Sequence, residues 1–216
     1  MKTEDIRIIL ASKSPRRKEL IEGAGFKTLI IPSDADENIE EKDPAELVKK
    51  LSEIKALSVY ELIKDKTGKT CGVLAGGSNN AGKTDVNISE EDVVLGADTV
   101  VYAGGRILGK PADKEDARDM IKLLAGNVHS VFTGFTLVLS NGQKITDYSE
   151  TKVYVYPMSD EEIEEYISTN EPYDKAGAYG IQGIFGKYVE KIDGDYNNVV
   201  GLPVSKIIYI LKNYEN

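Results

Sequence analysis

The sequence predicts an α/β fold in which a mixed β-sheet is flanked by helices. Residues 6–10 have the apolar, β-branched character of a buried strand, and a helix pattern follows at once. Farther along, Asn141-Gly142 is a strong hairpin signal between two strand-like segments, 128–139 and 145–156. A strand that leads into a helix, combined with an antiparallel pair, indicates a mixed sheet.

Composition is that of an ordinary globular protein. The 216 residues are 41% hydrophobic and 29% charged, with a formal net charge of -9 and a pI of about 4.8. This acidity argues against binding to nucleic acid or to an acidic membrane, although a phosphorylated substrate needs only a local basic cluster. The single cysteine, Cys71, excludes an internal disulfide. The N-terminus lacks an apolar leader and no apolar run reaches membrane-spanning length, so a cytoplasmic location is expected.

The start of the first helix could bind phosphate. Ser14 suits the N-cap position, and Pro15 suits the first helical position because its missing N–H costs nothing there. Free backbone amides, the helix dipole and the side chains of Ser12, Arg16 and Arg17 together suit an anion. The alternative is a capped surface helix with two solvated arginines.

A long helix is predicted from residue 43, after an acidic loop over residues 33–41. The loop would be solvated, unless Asp36 or Glu37 helps to hold a divalent cation. Lys55 is expected at the edge of the helix's apolar face, where it would extend to water or meet an anion in a cleft. That face is predicted to contain Leu47, Leu51, Ile54, Val59 and Leu62.

Residues 66–92 are rich in Gly, Ser, Thr and Asn, and we predict an inserted loop. Within it, residues 77–84 match the G-x-x-x-x-G-K-[ST] phosphate loop, with Lys83 as its lysine. That motif requires a buried strand before it and a helix after it. Only residues 73–75 could form the strand, and no amphipathic pattern follows, so the sequence disfavours this alternative.

Asp98 is the strongest candidate for a catalytic residue. It lies inside an apolar segment, 93–102, which is expected to be a central strand covered on both faces. A buried carboxylate is costly unless it is paired, hydrogen-bonded or bound to a metal. The neighbouring Gly96 indicates a bulge or a close approach by another group.

The next segments complete the predicted sheet and its helices. Lys110 is expected at a strand end, and an amphipathic helix follows over residues 113–124. His129, the only histidine, cannot build a histidine-rich metal site or a catalytic triad by itself, so a structural role is expected. Ser159 begins a capping box and a further helix.

Residues 173–186 form a second unusual stretch, because their glycines would allow the backbone to approach a ligand closely. Gln182 offers both a donor and an acceptor, which reading the edge of a base requires. A flexible structural loop is the alternative. Pro203 is expected to begin a closing helix.

Several separated segments resemble, in the right order, the Maf family of nucleoside triphosphate pyrophosphatases. The resemblance covers nearly the whole chain except residues 66–92. The segments are Leu-Ala-Ser-Lys-Ser-Pro-Arg-Arg at 10–17, Gly-Ala-Asp-Thr at 96–99, Gly-Lys-Pro at 109–111, His-Ser-Val-Phe-Thr-Gly at 129–134, Asp-Lys-Ala-Gly-Ala-Tyr-Gly-Ile-Gln-Gly at 174–183 and Asn-Val-Val-Gly-Leu-Pro at 198–203.

The resemblance implies hydrolysis of nucleoside triphosphates to the monophosphate and pyrophosphate with a divalent cation, Mg²⁺ or Mn²⁺. It implies a twisted mixed sheet with two lobes around a central cleft, within one domain over residues 1–216, and a homodimer. A non-catalytic nucleotide-binding regulator is the alternative function, since the family has also been linked to septum formation.

The resemblance also implies roles for individual residues. Asp98 would be the proton acceptor, or a metal ligand together with Glu37; the sequence does not separate these two roles. Lys55 and Lys110, like Arg16, would neutralise the phosphates.

The combination of Arg16, Thr99 and Gln182 resembles the branch of the family that acts on dTTP and UTP. Thr99 and Gln182 would read the pyrimidine. Arg17 would support Arg16 or the phosphates from farther away.

Overall fold

The computed structural model describes residues 6–64 and 89–214. Strands and helices alternate along most of this part of the chain. The strands are β1 Arg7–Leu10, β2 Lys27–Ile30, β3 Asp92–Ala103, β4 Arg106–Leu108, β5 Val128–Leu139, β6 Lys144–Val155 and β7 Val189–Asp193. The helices are α1 Pro15–Gly23, α2 Pro44–Lys64, α3 Lys114–Leu124, α4 Asp160–Ile167, α5 Tyr196–Val200 and α6 Val204–Asn213, and three short 3₁₀ turns are Pro172–Asp174, Ala176–Ala178 and Ile184–Tyr188.

Some sequence predictions concern residues outside these ranges. Most of the predicted 66–92 insertion, including Cys71 and the phosphate-loop-like residues 77–84 with Lys83, lies outside the described residues. Among the described residues, no helix is long and apolar enough to cross a membrane.

The strands form one mixed sheet, which confirms the predicted fold class. Their order is β2-β1-β3-β5-β6-β7, and β4 pairs with β3. The pairs β1–β2 and β1–β3 are parallel, whereas the pairs that join β3, β5, β6 and β7 are antiparallel. The predicted hairpin joins β5 to β6, and Gly142 adopts a positive φ of 86° there.

One edge of β3 is left partly unpaired in the middle. On that edge, β1 pairs with residues 92–95 and β4 pairs with residues 101–103. The opposite edge of β3 is paired with β5 along residues 93–102. The sheet therefore opens between β1 and β4, next to residues 96–100 of β3, and the cleft lies at this opening.

Two hydrophobic clusters lie on either side of the opening. One includes Val93, Leu95 and Ala97 of β3 and packs against α1 and α6. The other includes Val101 and Ala103 and packs against α3 and α4. Side chains alternate along a strand, so these five residues share one face of β3, and the cleft separates the two clusters on that face. This arrangement corresponds to the predicted two lobes.

The predicted buried face of α2 was only partly correct, because Leu51 and Val59 are buried as expected but other residues differ. Leu62, expected inside, is 38% exposed, and Lys55 lies within the buried face rather than at its edge. The reason is a close approach of α2 to the sheet, which favours small residues that the apolar pattern did not count, such as Ser52 and Ala56. The buried residues are Val48, Leu51, Ser52, Lys55, Ala56, Val59, Tyr60 and Ile63.

Two short elements near the C-terminus were not predicted. β7 extends the sheet beside β6, and α5 has only five residues, too few for a helical hydrophobic period to be recognised. The helix α5 matters for the site, because it packs against β5 and β6 and its Val199 and Val200 line the cleft.

Candidate active site

The opening in the sheet is a cleft with a volume of about 900 Å³, within the size range of small-molecule sites. Its walls are the loop from β1 into α1, the unpaired edge of β3, the end of β4 and the segment 171–183. All nine residues that the sequence assigned to catalysis or substrate binding line it: Ser12, Ser14, Arg16, Arg17, Lys55, Asp98, Thr99, Lys110 and Gln182. Glu37, which the sequence proposed as a metal ligand, lines it as well.

The α1 start has the predicted cap. Ser14 Oγ accepts a hydrogen bond from Arg17 N at 3.4 Å, and Pro15 is the first helical residue. Ser12 Oγ accepts from Ser14 N and from Arg17 Nη1, both at 3.2 Å. The two serines therefore fix the entry into the helix, and the first residues of α1 line the cleft.

Arg17 is not a solvated surface arginine. Besides the bond to Ser12, its Nε donates to Gly201 O at 2.9 Å and its Nη2 donates to Thr99 Oγ1 at 3.0 Å. Burial lowers the pKa of the Arg17 guanidinium, and the negative charge of Asp98 opposes this shift. An arginine stays protonated even so, and three acceptors hold this one in a fixed orientation.

The hydroxyl of Thr99 continues this network into the core. Thr99 Oγ1 lies 2.9 Å from Thr133 Oγ1, and Thr133 Oγ1 donates to Asn198 O at 3.0 Å. Because the single hydroxyl hydrogen of Thr133 is used on Asn198, Thr99 donates to Thr133 and accepts from Arg17. Thr99 is therefore part of a series of hydrogen bonds, all donated in the same direction, that runs from Arg17 in α1 to Asn198 in α5.

Asp98 projects from the other face of β3, toward α2. Its Oδ1 lies 2.6 Å from Lys55 Nζ, and the same ammonium lies 2.8 Å from Glu37 Oε2. The side chains of Lys55 and Asp98 are 11% and 15% exposed, so this ion pair is largely shielded from solvent. One cation thus joins the two carboxylates that the sequence proposed as metal ligands.

Two glycines bring Lys55 to this position. A Cβ on Gly96 would overlap Ser52 O and lie 2.6 Å from Ala56 N, and a Cβ on Gly134 would overlap the backbone at Val48. The backbone of α2 therefore rests directly on β3 and β5. The close approach predicted at Gly96 is confirmed, and the approaching group is a helix of the same chain.

The remaining predicted side chains, Arg16, Lys110 and Gln182, are more exposed to solvent than Lys55 and Asp98. Arg16 Nη1 lies 3.5 Å from Asp174 Oδ2 across the cleft mouth, and the Arg16 side chain is 32% exposed. Lys110 and Gln182 are exposed, and neither has a hydrogen bond or ion pair with another described residue. Both side chains are available to a ligand.

Comparison with known proteins decides the family. The model of the Maf family, described as Maf-like protein, matches residues 7–214. This chain belongs to the Maf family. The dTTP/UTP pyrophosphatase of Thermoanaerobacter sp. (strain X514) is 45% identical over 208 residues, covering 96% of each chain. The dTTP/UTP pyrophosphatase of Clostridioides difficile (strain 630) is 43% identical over 211 residues, covering 97% of this chain and 95% of that protein.

A solved structure is more distantly similar. It is a nucleoside-triphosphatase / dITP/XTP pyrophosphatase from Mycobacterium abscessus, with a TM-score of 0.39 and 12% identity, covering 98% of this chain and 99% of that one. That similarity is too low to support a conclusion about fold or function, so the family membership rests on the sequence comparisons.

The charge of this Maf-family cleft is opposite to that of the whole chain. Six lysines and arginines line the cleft against four carboxylates, whereas the chain carries a net charge of -9. The basic residues are Lys13, Arg16, Arg17, Lys55, Lys110 and Lys175. A local excess of positive charge favours an anionic ligand in an otherwise acidic protein.

The carboxylates suit a divalent cation that is completed by the ligand. Among residues 6–64 and 89–214, no cluster of three or more His, Cys, Asp or Glu could hold a metal ion. Glu37 and Asp98 converge on one ammonium, so a cation can be shared between them. Mg²⁺ typically takes one or two protein carboxylates together with substrate phosphates and water, and this pair fits that pattern.

The sequence missed several residues around the cleft. Glu171, Asp174, Lys175 and Tyr179 line it but were given no role. Three of them belong to the stretch that the sequence singled out, and Glu171 lies two residues before it. A charged residue next to a glycine-rich ligand loop was the available signal.

His129 has the structural role that the sequence predicted. It is 3% exposed, its Nε2 lies 2.7 Å from Tyr179 Oη, and its Nδ1 is buried without a partner among the described residues. Burial lowers the pKa of His129 to about 4, and burial also raises the pKa of Tyr179. The neutral pair supports the cleft wall from behind.

Proposed function

We propose that this chain hydrolyses dTTP and UTP, and modified pyrimidine nucleotides related to them, to the monophosphate and pyrophosphate. The observation that carries the proposal is the pairing of Asp98 with Lys55 at the unpaired edge of β3, inside a basic cleft. Curated relatives at 43% to 45% identity over nearly the full chain bear the name dTTP/UTP pyrophosphatase. Keeping modified nucleotides out of nucleic acids would be one use of this reaction.

The phosphates would bind between the α1 start and Lys110. The amides and dipole of α1 favour an anion there, and Arg16 has an ion-pair partner, Asp174, only at 3.5 Å. A triphosphate would offer Arg16 a stronger, bidentate partner than this loose pair. Lys110, which has no partner among the described residues, would supply a further positive charge.

The reaction needs a water molecule, a base and neutralisation of the leaving group. The water oxygen forms a new bond to phosphorus as the bridging bond between the α- and β-phosphates breaks, and pyrophosphate leaves. Asp98 would accept the water's proton, and Lys55 holds the Asp98 carboxylate in place. Lys55, Arg16 and Lys110 would offset the charge that develops on the departing pyrophosphate.

A divalent cation, Mg²⁺ or Mn²⁺, would be held by Asp98 and Glu37 and would supply charge neutralisation and a more acidic bound water. Lys55 pairs with the same two carboxylates, so it would have to shift or share them when a cation is bound. Asp98 could serve as ligand and as base in the same site.

The base would be read at the other end of the cleft. Gln182 has an exposed amide with a donor and an acceptor, as a pyrimidine edge requires. Thr99 uses its hydroxyl on Arg17 and Thr133, so we propose that it acts on the substrate by orienting Arg17. Arg17 in turn supports the α1 start through Ser12 and stands beside Arg16.

Product analysis tests the reaction. The protein is incubated with dTTP or UTP and Mg²⁺ or Mn²⁺, and the products are separated. Monophosphate with pyrophosphate is the expected result. A diphosphate with inorganic phosphate would contradict the proposed bond cleavage, and binding without turnover would support a nucleotide-binding regulator instead.

We further propose that residues 1–216 form one domain and that the chain is a homodimer, as the family resemblance implies. One continuous sheet through the described residues supports the first statement. Light scattering on the purified protein tests the second, with a mass near twice 23.7 kDa expected.

A further inference from the structure

Gln182 lies at the tip of a tight turn. Gly183 N donates to Gly180 O at 3.1 Å, so residues 180–183 form a β-turn with Ile181 and Gln182 at its centre. The side chain of Gln182 lines the cleft and has no hydrogen bond to another described residue. Its position therefore depends on how firmly the turn is held.

The carboxylate of Glu171 holds this turn. Its Oε2 accepts from Ile184 N at 2.6 Å, and its Oε1 accepts from Phe185 N at 3.2 Å and from Tyr166 Oη at 3.1 Å. Gly183 packs so closely against the carboxylate that a Cβ there would overlap both of its oxygens. The two amide donors come two and three residues after Gln182, at the start of a 3₁₀ turn.

The other end of the turn is held by the same segment. The stem of Lys175 lies against Gly180, where a Cβ would be 2.8 Å from Lys175 Cε. Lys175 Nζ donates to Glu171 O at 2.7 Å and pairs with Asp174 Oδ1 at 2.5 Å. Glu171 thus fixes Gly183 through its carboxylate and, through its carbonyl and Lys175, also fixes Gly180.

We propose that Glu171 is a positioning residue for base selectivity: it fixes the 180–183 turn so that the Gln182 amide meets the edge of a pyrimidine. This inference rests on the proposed function of the same cleft. A side chain that is already held in its binding position loses less conformational entropy when the ligand arrives. Selectivity between bases therefore depends on the turn as well as on Gln182.

The test is Glu171→Gln, which keeps the size of the side chain. A glutamine has one carbonyl oxygen and one NH₂ group, so the NH₂ would face an amide N–H and one of the two backbone hydrogen bonds would be lost. We expect the kcat/KM for dTTP to fall about tenfold, mainly through KM. The free energy that one hydrogen bond to a charged group contributes corresponds to a change of about this size. The kcat/KM for dATP should change less than about twofold, because the proposal pairs the Gln182 amide with a pyrimidine edge and not with a purine.

A combination with Gln182→Ala separates positioning from general damage. If Glu171 acts through Gln182, the double variant has the same ratio of kcat/KM for dTTP to that for dATP as Gln182→Ala alone. Additive losses, equal losses for both nucleotides, or an unchanged ratio in Glu171→Gln would overturn the inference. Glu162→Gln is the matched control, because Glu162 also accepts from a backbone amide, Ser159 N at 2.8 Å, but lies at the start of α4. It should leave the ratio unchanged.

Two further measurements keep the result independent of folding and of turnover. If Glu171→Gln does not fold, Gly183→Ala is used, since its Cβ would push the turn off the carboxylate and should lower the same ratio. Calorimetry with dTTP and dATP analogues that carry a methylene bridge between the α- and β-phosphates measures base preference without hydrolysis. If the wild-type protein hydrolyses nothing, the proposed function fails, and the binding preference of Glu171→Gln still decides this inference.

Discussion

Lys55 Nζ lies 2.6 Å from Asp98 Oδ1, although 43 residues separate the two in the chain. The contact joins the buried face of α2 to the unpaired edge of β3. Glu37 shares the same ammonium at 2.8 Å, so a loop, a helix and a strand meet at one charge.

Asp98→Asn should lower kcat for dTTP by about 100-fold or more, because an amide cannot accept the water's proton. The asparagine has the same shape, so the fold should be retained. Release of pyrophosphate measures the effect. Asp147→Asn is the control, since Asp147 forms a surface ion pair with Lys206 at 2.7 Å and should leave kcat unchanged. Activity of Asp98→Asn within twofold of the wild type would exclude the proposed role.

Gly96→Ala should separate α2 from the sheet. The new Cβ would overlap Ser52 O, and forcing an extra methyl group into a packed contact typically costs about 1–3 kcal/mol. Both the free energy of unfolding, measured in urea, and kcat should fall, because Lys55 moves with α2. Gly23→Ala is the matched control: nothing lies within 4 Å of a Cβ there, at the end of α1. Equal stability of the two variants would contradict the close approach.

Arg17→Lys should raise the KM for dTTP about tenfold, because an ammonium cannot reach the three acceptors that the guanidinium contacts. Those acceptors are Ser12 Oγ, Thr99 Oγ1 and Gly201 O. Steady-state kinetics measure KM, and urea unfolding should show a loss of stability as well. Arg118→Lys, on the surface beside Glu164, is the control and should change neither. An unaltered KM in Arg17→Lys would argue that Arg17 serves the fold alone.

His129 should make stability depend on pH below neutrality. Its pKa is about 4 in the folded protein, against 6.5 for the free side chain, so the unfolded state binds more protons between these values. The free energy of unfolding should therefore fall as pH drops from 6.5 toward 4, by up to about 3 kcal/mol.

Urea unfolding at several pH values tests this dependence. The His129→Gln variant should show a flatter profile, since glutamine does not titrate. His129 is the only histidine, so its NMR signal is unambiguous and gives its pKa directly. A measured pKa near 6.5 would refute the prediction.

Lys83→Ala should leave pyrophosphate release nearly unchanged. Lys83 belongs to a phosphate-loop-like stretch outside the described residues, and the proposed reaction assigns it no role. If Lys83→Ala abolished turnover, the catalytic residues would have to be sought in residues 77–84 instead. Loss of activity in Asp98→Asn together with retained activity in Lys83→Ala would assign the chemistry to the β3 edge.

Local patterns determined much of the fold. The strand that leads into α1, the caps at Ser14 and Ser159, and the β5–β6 hairpin were predicted because each depends on residues close together in the chain. The carboxylate inside an apolar strand identified Asp98 for the same reason. These features need no knowledge of distant contacts.

The orientation of α2 required the tertiary structure. Its predicted face was based on large apolar residues, but the helix packs on Gly96 and Gly134 through its own backbone, and the packing rotates Lys55 inward. The spacing of large apolar residues does not reveal such a contact, because small residues and glycines are what allow the two backbones to approach each other.

The cleft itself was also decided by the tertiary structure. Its position follows from two separate strands, β1 and β4, that pair with different parts of the same edge of β3 and leave a gap between them. The role of Glu171, whose carboxylate reaches amides 13 and 14 residues away, depends on the same long-range folding. The sequence determined which groups could do chemistry, whereas strand pairing and helix packing decided which of them meet, because those contacts join residues far apart in the chain.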